Sequence, residues 1–305
     1  MIIQKQPIYA SKKLADTINK KLIDNIVKIT SEFKNTQKKQ ISTNATNNRK
    51  MYYFEDFKLT TYENLNEINK SLDWKKATSD DINKKVFKLL IESKQQIVLH
   101  LINSIIMEGV IPDILKETIT TPIFKEDRNR SIENIPPIHL PILEKILEKI
   151  IYEQLYKYVY KNSILPENQY GFRKGYSTTD AFCVAWKEWI KAIENGDDLL
   201  IIFYDLKKAF EVVNHEILIN KLIQIGLKDK PIKLLQSYLN RRKQKVKIQE
   251  HISDTITCNY GVPQGSVLGP LLFNLYLYDI DSVLPKNKFC MFADDIILFN
   301  HGKKS

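Results

Sequence analysis

The apolar residues of this chain change spacing as the sequence advances, and each spacing predicts a different element. Leu14, Ile18, Leu22, Ile23, Ile26 and Val27 recur at helical intervals and predict a helix over 14–36. Residues 35–50 are polar, nearly free of large apolar groups, and read as a linker. From Phe57 onward the pattern turns globular. Helices are expected near 61–72, 82–94 and 96–108, a strand over Ile119–Phe124, and a strongly amphipathic helix over Leu140–Tyr160. Ser177-Thr178-Thr179-Asp180 has the form of a capping box and predicts a helix running to about Ile193. The continuous apolar run Leu199–Tyr204, ended by Asp205, predicts a strand buried on both faces. Further helices are expected near 215–225 and 230–240, followed by a hairpin pairing Lys243–Gln249 with Asp254–Asn259. A Gly/Pro-rich turn then leads to a helix over Leu268–Asp279. The stretch Lys288–Phe299 predicts a strand, a turn at Ala293-Asp294-Asp295, and a second strand.

Length and composition narrow the classes. The 305 residues with 43% hydrophobic content can bury a substantial core, and the net charge of +10 suits a polyanionic partner. Abundant solvated lysine on a surface gives the same number, so charge alone does not decide. Cys183, Cys258 and Cys290 are far apart and odd in number, which draws neither a zinc site nor a disulfide framework. The start of the chain lacks the long apolar region of a secretory signal. Thr255–Tyr278 carries no charge, but Gly261, Pro263, Gly265, Gly269 and Pro270 make it a poor membrane span. No membrane partner and no obligate protein partner are expected, and the expected location is cytoplasmic, nuclear or both.

Candidate chemistry begins with Asp294 and Asp295, which sit between the apolar runs FCMF and IILF. An ordinary acidic turn explains that pair taken alone, because Asp favours turns. Asp205 alters the balance, since it also ends an apolar strand. If the two strand ends are neighbours, three carboxylates converge, and hard oxygen ligands on rigid strands suit Mg²⁺. A pair of such ions activates a hydroxyl and stabilises a leaving pyrophosphate, which is nucleotidyl transfer.

Four blocks around these residues resemble the reverse transcriptases of non-LTR retrotransposons of the jockey and CR1 type. Phe203-Tyr204-Asp205-Leu206-Lys207-Lys208-Ala209-Phe210 and on to His215 resembles motif A, Gly261-Val262-Pro263-Gln264-Gly265-Ser266 and on to Phe273 motif B, and Phe292-Ala293-Asp294-Asp295 motif C. Asn168-Gln169-Tyr170-Gly171-Phe172-Arg173 and on to Thr178 resembles the upstream block 2. The likeness is good over about Ile111–Phe299, weaker from Phe57, and absent before it. It implies an α+β fold on the right-hand polymerase plan with a ferredoxin-like palm sheet. Fingers would span about 57–165 and 216–258, palm about 166–215 and 259–305, after a basic helix and linker over 1–56. The implied activity is RNA-directed DNA polymerisation from dNTPs on an RNA template with a DNA primer, using two Mg²⁺ ions, with Mn²⁺ as a possible substitute.

The resemblance also implies roles for single residues. Asp205 and Asp294 would ligate metal together with the Leu206 carbonyl, and Asp295 would be the supporting catalytic carboxylate. Phe210 would exclude a 2′-hydroxyl. Backbone amides around Lys208 and Ala209, and the side chain of Lys125, would grip the triphosphate. Gln264 and Gly265 would contact the templating base and the nucleotide. The chain departs from the family pattern at Pro136, where an arginine that contacts triphosphate is usual, and at Lys76–Asp81, where a Gly/Pro element is eroded. It stops at Ser305, ten residues past Asp295, before the family's thumb. These departures lead to the expectation of a truncated or decayed copy with negligible activity as it stands. The alternatives are a catalytically inactive remnant and a non-enzymatic RNA-binding protein that uses the basic fingers.

Overall fold

The computed structural model describes residues 10–36, 52–72, 84–122, 138–263, 265–284 and 288–303. Residues 37–50 of the expected linker, the eroded element at 76–81, Lys125, Pro136 and Gln264 lie outside them, while Asn35 and Thr36 end the first helix.

The fold is mixed α+β, with two sheets set around a helical core. In chain order the elements are α1 (Lys12–Thr36), α2 (Tyr62–Ser71), α3 (Lys84–Ser93), α4 (Gln95–Glu108), β1 (Glu117–Thr120), β2 (Ile138–His139) and α5 (Ile142–Lys161). There follow α6 (Thr178–Glu194), β3 (Asp197–Asp205), α7 (His215–Gln224), α8 (Asp229–Leu239) and β4 (Arg242–Ile248). The last are β5 (His251–Ile252), β6 (Ile256–Cys258), α9 (Gly269–Tyr276), β7 (Phe289–Phe292) and β8 (Asp295–Lys303). One sheet has five strands in the order β2-β1-β4-β5, with β6 also paired to β4, and β1 runs parallel to β4. The other has three antiparallel strands in the order β3-β8-β7.

Local signals explain most element ends. The capping box at the start of α6 is formed, with the Ser177 side chain accepting from the Asp180 amide and the Asp180 side chain accepting from the Ser177 amide. Asn214 caps α7 by accepting from the Ile217 amide at 3.0 Å. Gly109 ends α4 in the left-handed conformation. The uncharged stretch through Tyr278 forms β6, a loop and the buried helix α9. Among the described residues no helix is long and apolar enough to cross a membrane.

Two expectations needed correction. The Leu199–Tyr204 run is not buried on both faces. It lies in β3 at a sheet edge, with α6 covering only one face, so Leu199 and Ile201 are half-buried while Leu200 is 59% exposed and Phe203 70% exposed. A continuous apolar run does not tell how many neighbours cover it. The helix over Leu140–Tyr160 exists as α5, but not as a simple amphipathic helix, because Glu144 and Glu148 lie buried among its apolar residues. Arg242 donates to Glu144 Oε1 at 2.6 Å, and the Tyr238 hydroxyl donates to Glu148 Oε1. Both glutamates are therefore tolerated inside because they are hydrogen-bonded.

The N-terminal helix packs onto the five-stranded sheet. Ala15, Ile18 and Leu22 meet Val246. Between them the fully buried Asn19 donates to the Gln244 carbonyl, the Ser253 hydroxyl and the Asp254 carbonyl at 2.9–3.2 Å.

Candidate active site

The three-stranded sheet brings together residues that lie about ninety positions apart in sequence. Tyr204 pairs with Ile296 and Asp205 with Asp295 in one unbroken antiparallel register that runs from Asp197 to Asp205. Phe292 pairs with Asp295 across the β7–β8 hairpin, so Ala293 and Asp294 form its two-residue connection. The Leu206 amide donates to the Asp294 carbonyl at 3.4 Å, tying the end of β3 to the turn. Asp205 and Asp295 are exposed and Asp294 is half-buried. Burial pushes the Asp294 carboxyl above its ordinary range, and the like charges of Asp295 and Asp205 add to the rise. Burial likewise raises Glu211, with the charge of Asp294 adding to it and Lys208 opposing it.

This corner therefore carries an excess of negative charge. Among the described residues, Asp205, Asp294 and Asp295 take part in none of the ion pairs. Hard carboxylate oxygens of this kind could take a divalent cation. The side chains of the corner do not form a finished cage: among the described residues no three His, Cys, Asp or Glu side chains are grouped to hold a metal ion. The strand register thus joins the three aspartates, while their side chains stop short of a three-ligand cluster. Mg²⁺ suits that arrangement, because it is commonly held by one or two carboxylates together with substrate phosphates and water.

The chain after Asp205 turns sharply. Lys208 sits at φ +53°, and the Ala209 amide donates to the Leu206 carbonyl at 3.2 Å. Ala209 is buried, and its amide is engaged within the turn. Phe210 stacks on Phe273 with ring centroids 4.4 Å apart and receives the edge of Phe172 at 5.7 Å. The loop from Gly261 lies along this turn. Gly261 N donates to the Val213 carbonyl at 2.8 Å and Val262 N to the Phe210 carbonyl at 2.9 Å. Gly261 has φ +85°, and a Cβ there would lie 2.8 Å from the Glu211 carbonyl oxygen, so both conformation and space require glycine. His215 Nε2 lies 2.7 Å from the Gly261 carbonyl; a carbonyl only accepts, so Nε2 carries the proton. Burial lowers the pKa of this ring and favours its neutral form. Gly265 also has positive φ, +73°, farther along the same loop.

Sequence reasoning missed several residues that shape this corner. Glu148 Oε2 accepts from the Val267 amide at 2.8 Å and anchors the glycine loop from α5. Phe172 and Phe273 frame Phe210. Gln169 touches the acidic turn itself. Gln169, Phe172 and Phe273 fall within blocks singled out beforehand, and nothing local separates them from their neighbours.

The chain matches the family model of reverse transcriptase (RNA-dependent DNA polymerase) over residues 125–305. It is 30% identical to the probable RNA-directed DNA polymerase from transposon BS of Drosophila melanogaster, over 72% of this chain and 24% of that protein. It is 36% identical to the probable RNA-directed DNA polymerase from transposon X-element of the same organism, over 44% of this chain and 15% of the relative. The RNA-directed DNA polymerase from mobile element jockey, also of D. melanogaster, is 26% identical over 80% of this chain and 28% of its own length. The aligned stretch thus spans between 15% and 28% of the length of these curated relatives.

Proposed function

The chain belongs to the reverse transcriptase (RNA-dependent DNA polymerase) family, and from that premise we propose that it carries the fingers and palm of an RNA-directed DNA polymerase of a non-LTR retrotransposon. The observation that carries this reading is the β3–β8 register, which sets Asp205 opposite Asp295 with Asp294 in the adjoining turn. In this reading the three-stranded sheet and α6 belong to the palm and the five-stranded sheet to the fingers. Asp205 and Asp294 hold Mg²⁺, or Mn²⁺ in its place, beside the Leu206 carbonyl, and Asp295 supports them. The bound cations would favour the ionised primer 3′-hydroxyl and stabilise charge on the departing pyrophosphate. Phe210, fixed between Phe172 and Phe273, forms a rigid floor under the incoming sugar and leaves no room for a 2′-oxygen. The glycine loop at 261–266 approaches the base pair closely because its glycines carry no side chain. The partners are an RNA template, a DNA primer and dNTPs.

The test is primer extension on an RNA template, with the chain alone and with the chain, carrying Pro136→Arg, joined to the stretch that follows the aligned region in the jockey relative. Mg²⁺-dependent extension is expected in the joined protein, falling by roughly a hundredfold or more in Asp294→Asn, because charge stabilisation supplies most of the catalysis. Equal extension by Asp294→Asn would refute the assignment. RNA binding without extension by either protein would favour the RNA-binding reading.

A further inference from the structure

Gln169 is 1% exposed, and both ends of its side-chain amide are spent on one residue of the acidic hairpin. Its Oε1 accepts from the Ala293 amide at 3.1 Å and from the Gly171 amide at 2.8 Å, while its Nε2 donates to the Ala293 carbonyl at 3.2 Å. Only one orientation of the amide satisfies two donors on one side and an acceptor on the other, so the hydrogen-bond pattern fixes it. Ala293 is 7% exposed and stands at φ +60°, a conformation that L side chains resist. Such a conformation persists only where its surroundings over-determine it.

The segment carrying Gln169 is itself held in place. Tyr170 N donates to the Met291 carbonyl at 2.9 Å, Met291 N donates to the Asn168 carbonyl at 2.8 Å, and a parallel bridge joins Gln169 to Met291. Asn274 on α9 donates to the Gly171 carbonyl at 2.9 Å. A Cβ on Gly171 would fall 2.1 Å from the Ala293 nitrogen, so the loop lies flush against the turn.

We propose that Gln169 is the positioning residue of the acidic turn: by clasping both backbone polar groups of Ala293 it locks the left-handed conformation from which Asp294 and Asp295 are presented. Without the clasp, the peptide between Ala293 and Asp294 is free to rotate toward an unstrained conformation, which swings the Asp294 carboxylate away from Asp205. The consequence for catalysis rests on the polymerase reading; the effect on the turn does not.

Hydrogen exchange of the full chain tests the clasp, and primer extension by the joined protein tests its consequence. Gln169→Met keeps side-chain length and removes all three hydrogen bonds. Exchange at the Ala293 and Asp294 amides should rise by about tenfold or more, while the amides of α5 keep their protection. The kcat for extension should fall by about tenfold to a hundredfold with the dNTP KM changed less than about twofold, because misplacement of a reacting group acts on the chemical step. Adding Ala293→Gly should recover much of that kcat, since glycine adopts positive φ without strain. A general loss of stability would not be cured that way. If Gln169→Met unfolds the chain, Gln169→Glu at a pH where it is ionised carries the same test, because it keeps the acceptor oxygen and sets an oxygen in place of the donor to the Ala293 carbonyl. Unchanged exchange at residues 293–294 in a folded variant overturns the clasp. Faster exchange with unchanged kcat, or no recovery by glycine, overturns the positioning role. Absence of extension in the unmutated protein counts against the polymerase reading, and the exchange result still decides the clasp.

Discussion

Replacing Glu148 with glutamine should stabilise this chain, and more so as pH rises. Glu148 is buried on α5, linked to the Tyr238 hydroxyl through Oε1 and to the Val267 amide through Oε2. One turn earlier Glu144 pairs with the buried Arg242 guanidinium at 2.6 Å, while Glu148 has no ion-pair partner among the described residues. Burial, followed by the charge of Glu144, pushes Glu148 up to about 8 from an ordinary 4.5. The folded chain therefore keeps a proton that the unfolded chain releases. This contribution is fully present below about pH 4.5 and is lost as pH rises through about 8. The slope inside that window approaches ~1.4 kcal/mol per pH unit, with a ceiling of roughly 5 kcal/mol across the whole of it. Glutamine is neutral throughout, has the same shape, and can still accept from Val267 while donating to the Tyr238 oxygen. Urea unfolding should give Glu148→Gln and the unmutated chain stabilities within about 1 kcal/mol at about pH 5.5, separating by about 2–3 kcal/mol in favour of the variant at about pH 7.5. Parallel pH profiles for the two proteins would show that Glu148 is ionised in the fold across this range, and would refute the reasoning.

Three further outcomes follow from the geometry. Phe210→Val in the joined protein should raise ribonucleotide use relative to dNTP use by about tenfold or more, read as a ratio of kcat/KM values, because the ring that fills the space beneath the sugar is gone. Gly261→Ala should lose roughly 2–4 kcal/mol, visible as a lower urea midpoint, since the new methyl meets the Glu211 backbone at a positive φ. Asn19→Leu should lose about 1–3 kcal/mol by the same assay and loosen α1 in hydrogen exchange, because the carbonyl and the side-chain amide of Gln244 both lose their bonds to Asn19.

What the sequence determined by itself was whatever depends on near neighbours. Helical spacing placed α1, α4, α7 and α8, the Ser177–Asp180 capping box marked the start of α6, and two apolar runs around Asp294-Asp295 marked the last hairpin. The order of the four blocks identified the family, since residue types at fixed spacing are local information. Tertiary structure decided whatever depends on residues distant in the chain. The Leu199–Tyr204 run could not reveal that β3 has a neighbour on one edge only, because burial counts contacts supplied from elsewhere. Glu144 and Glu148 looked like the polar side of a helix, and became interior groups only because Arg242, Tyr238 and Val267 arrive to satisfy them. The same holds for Asn19, whose partners are more than two hundred residues away. At the candidate site, the aspartates were legible as strand ends, but their pairing needed the sheet register. Gln169 was invisible as a support for Ala293, 124 residues away, because a buried amide gains its meaning only from the two backbone groups it meets in the folded chain.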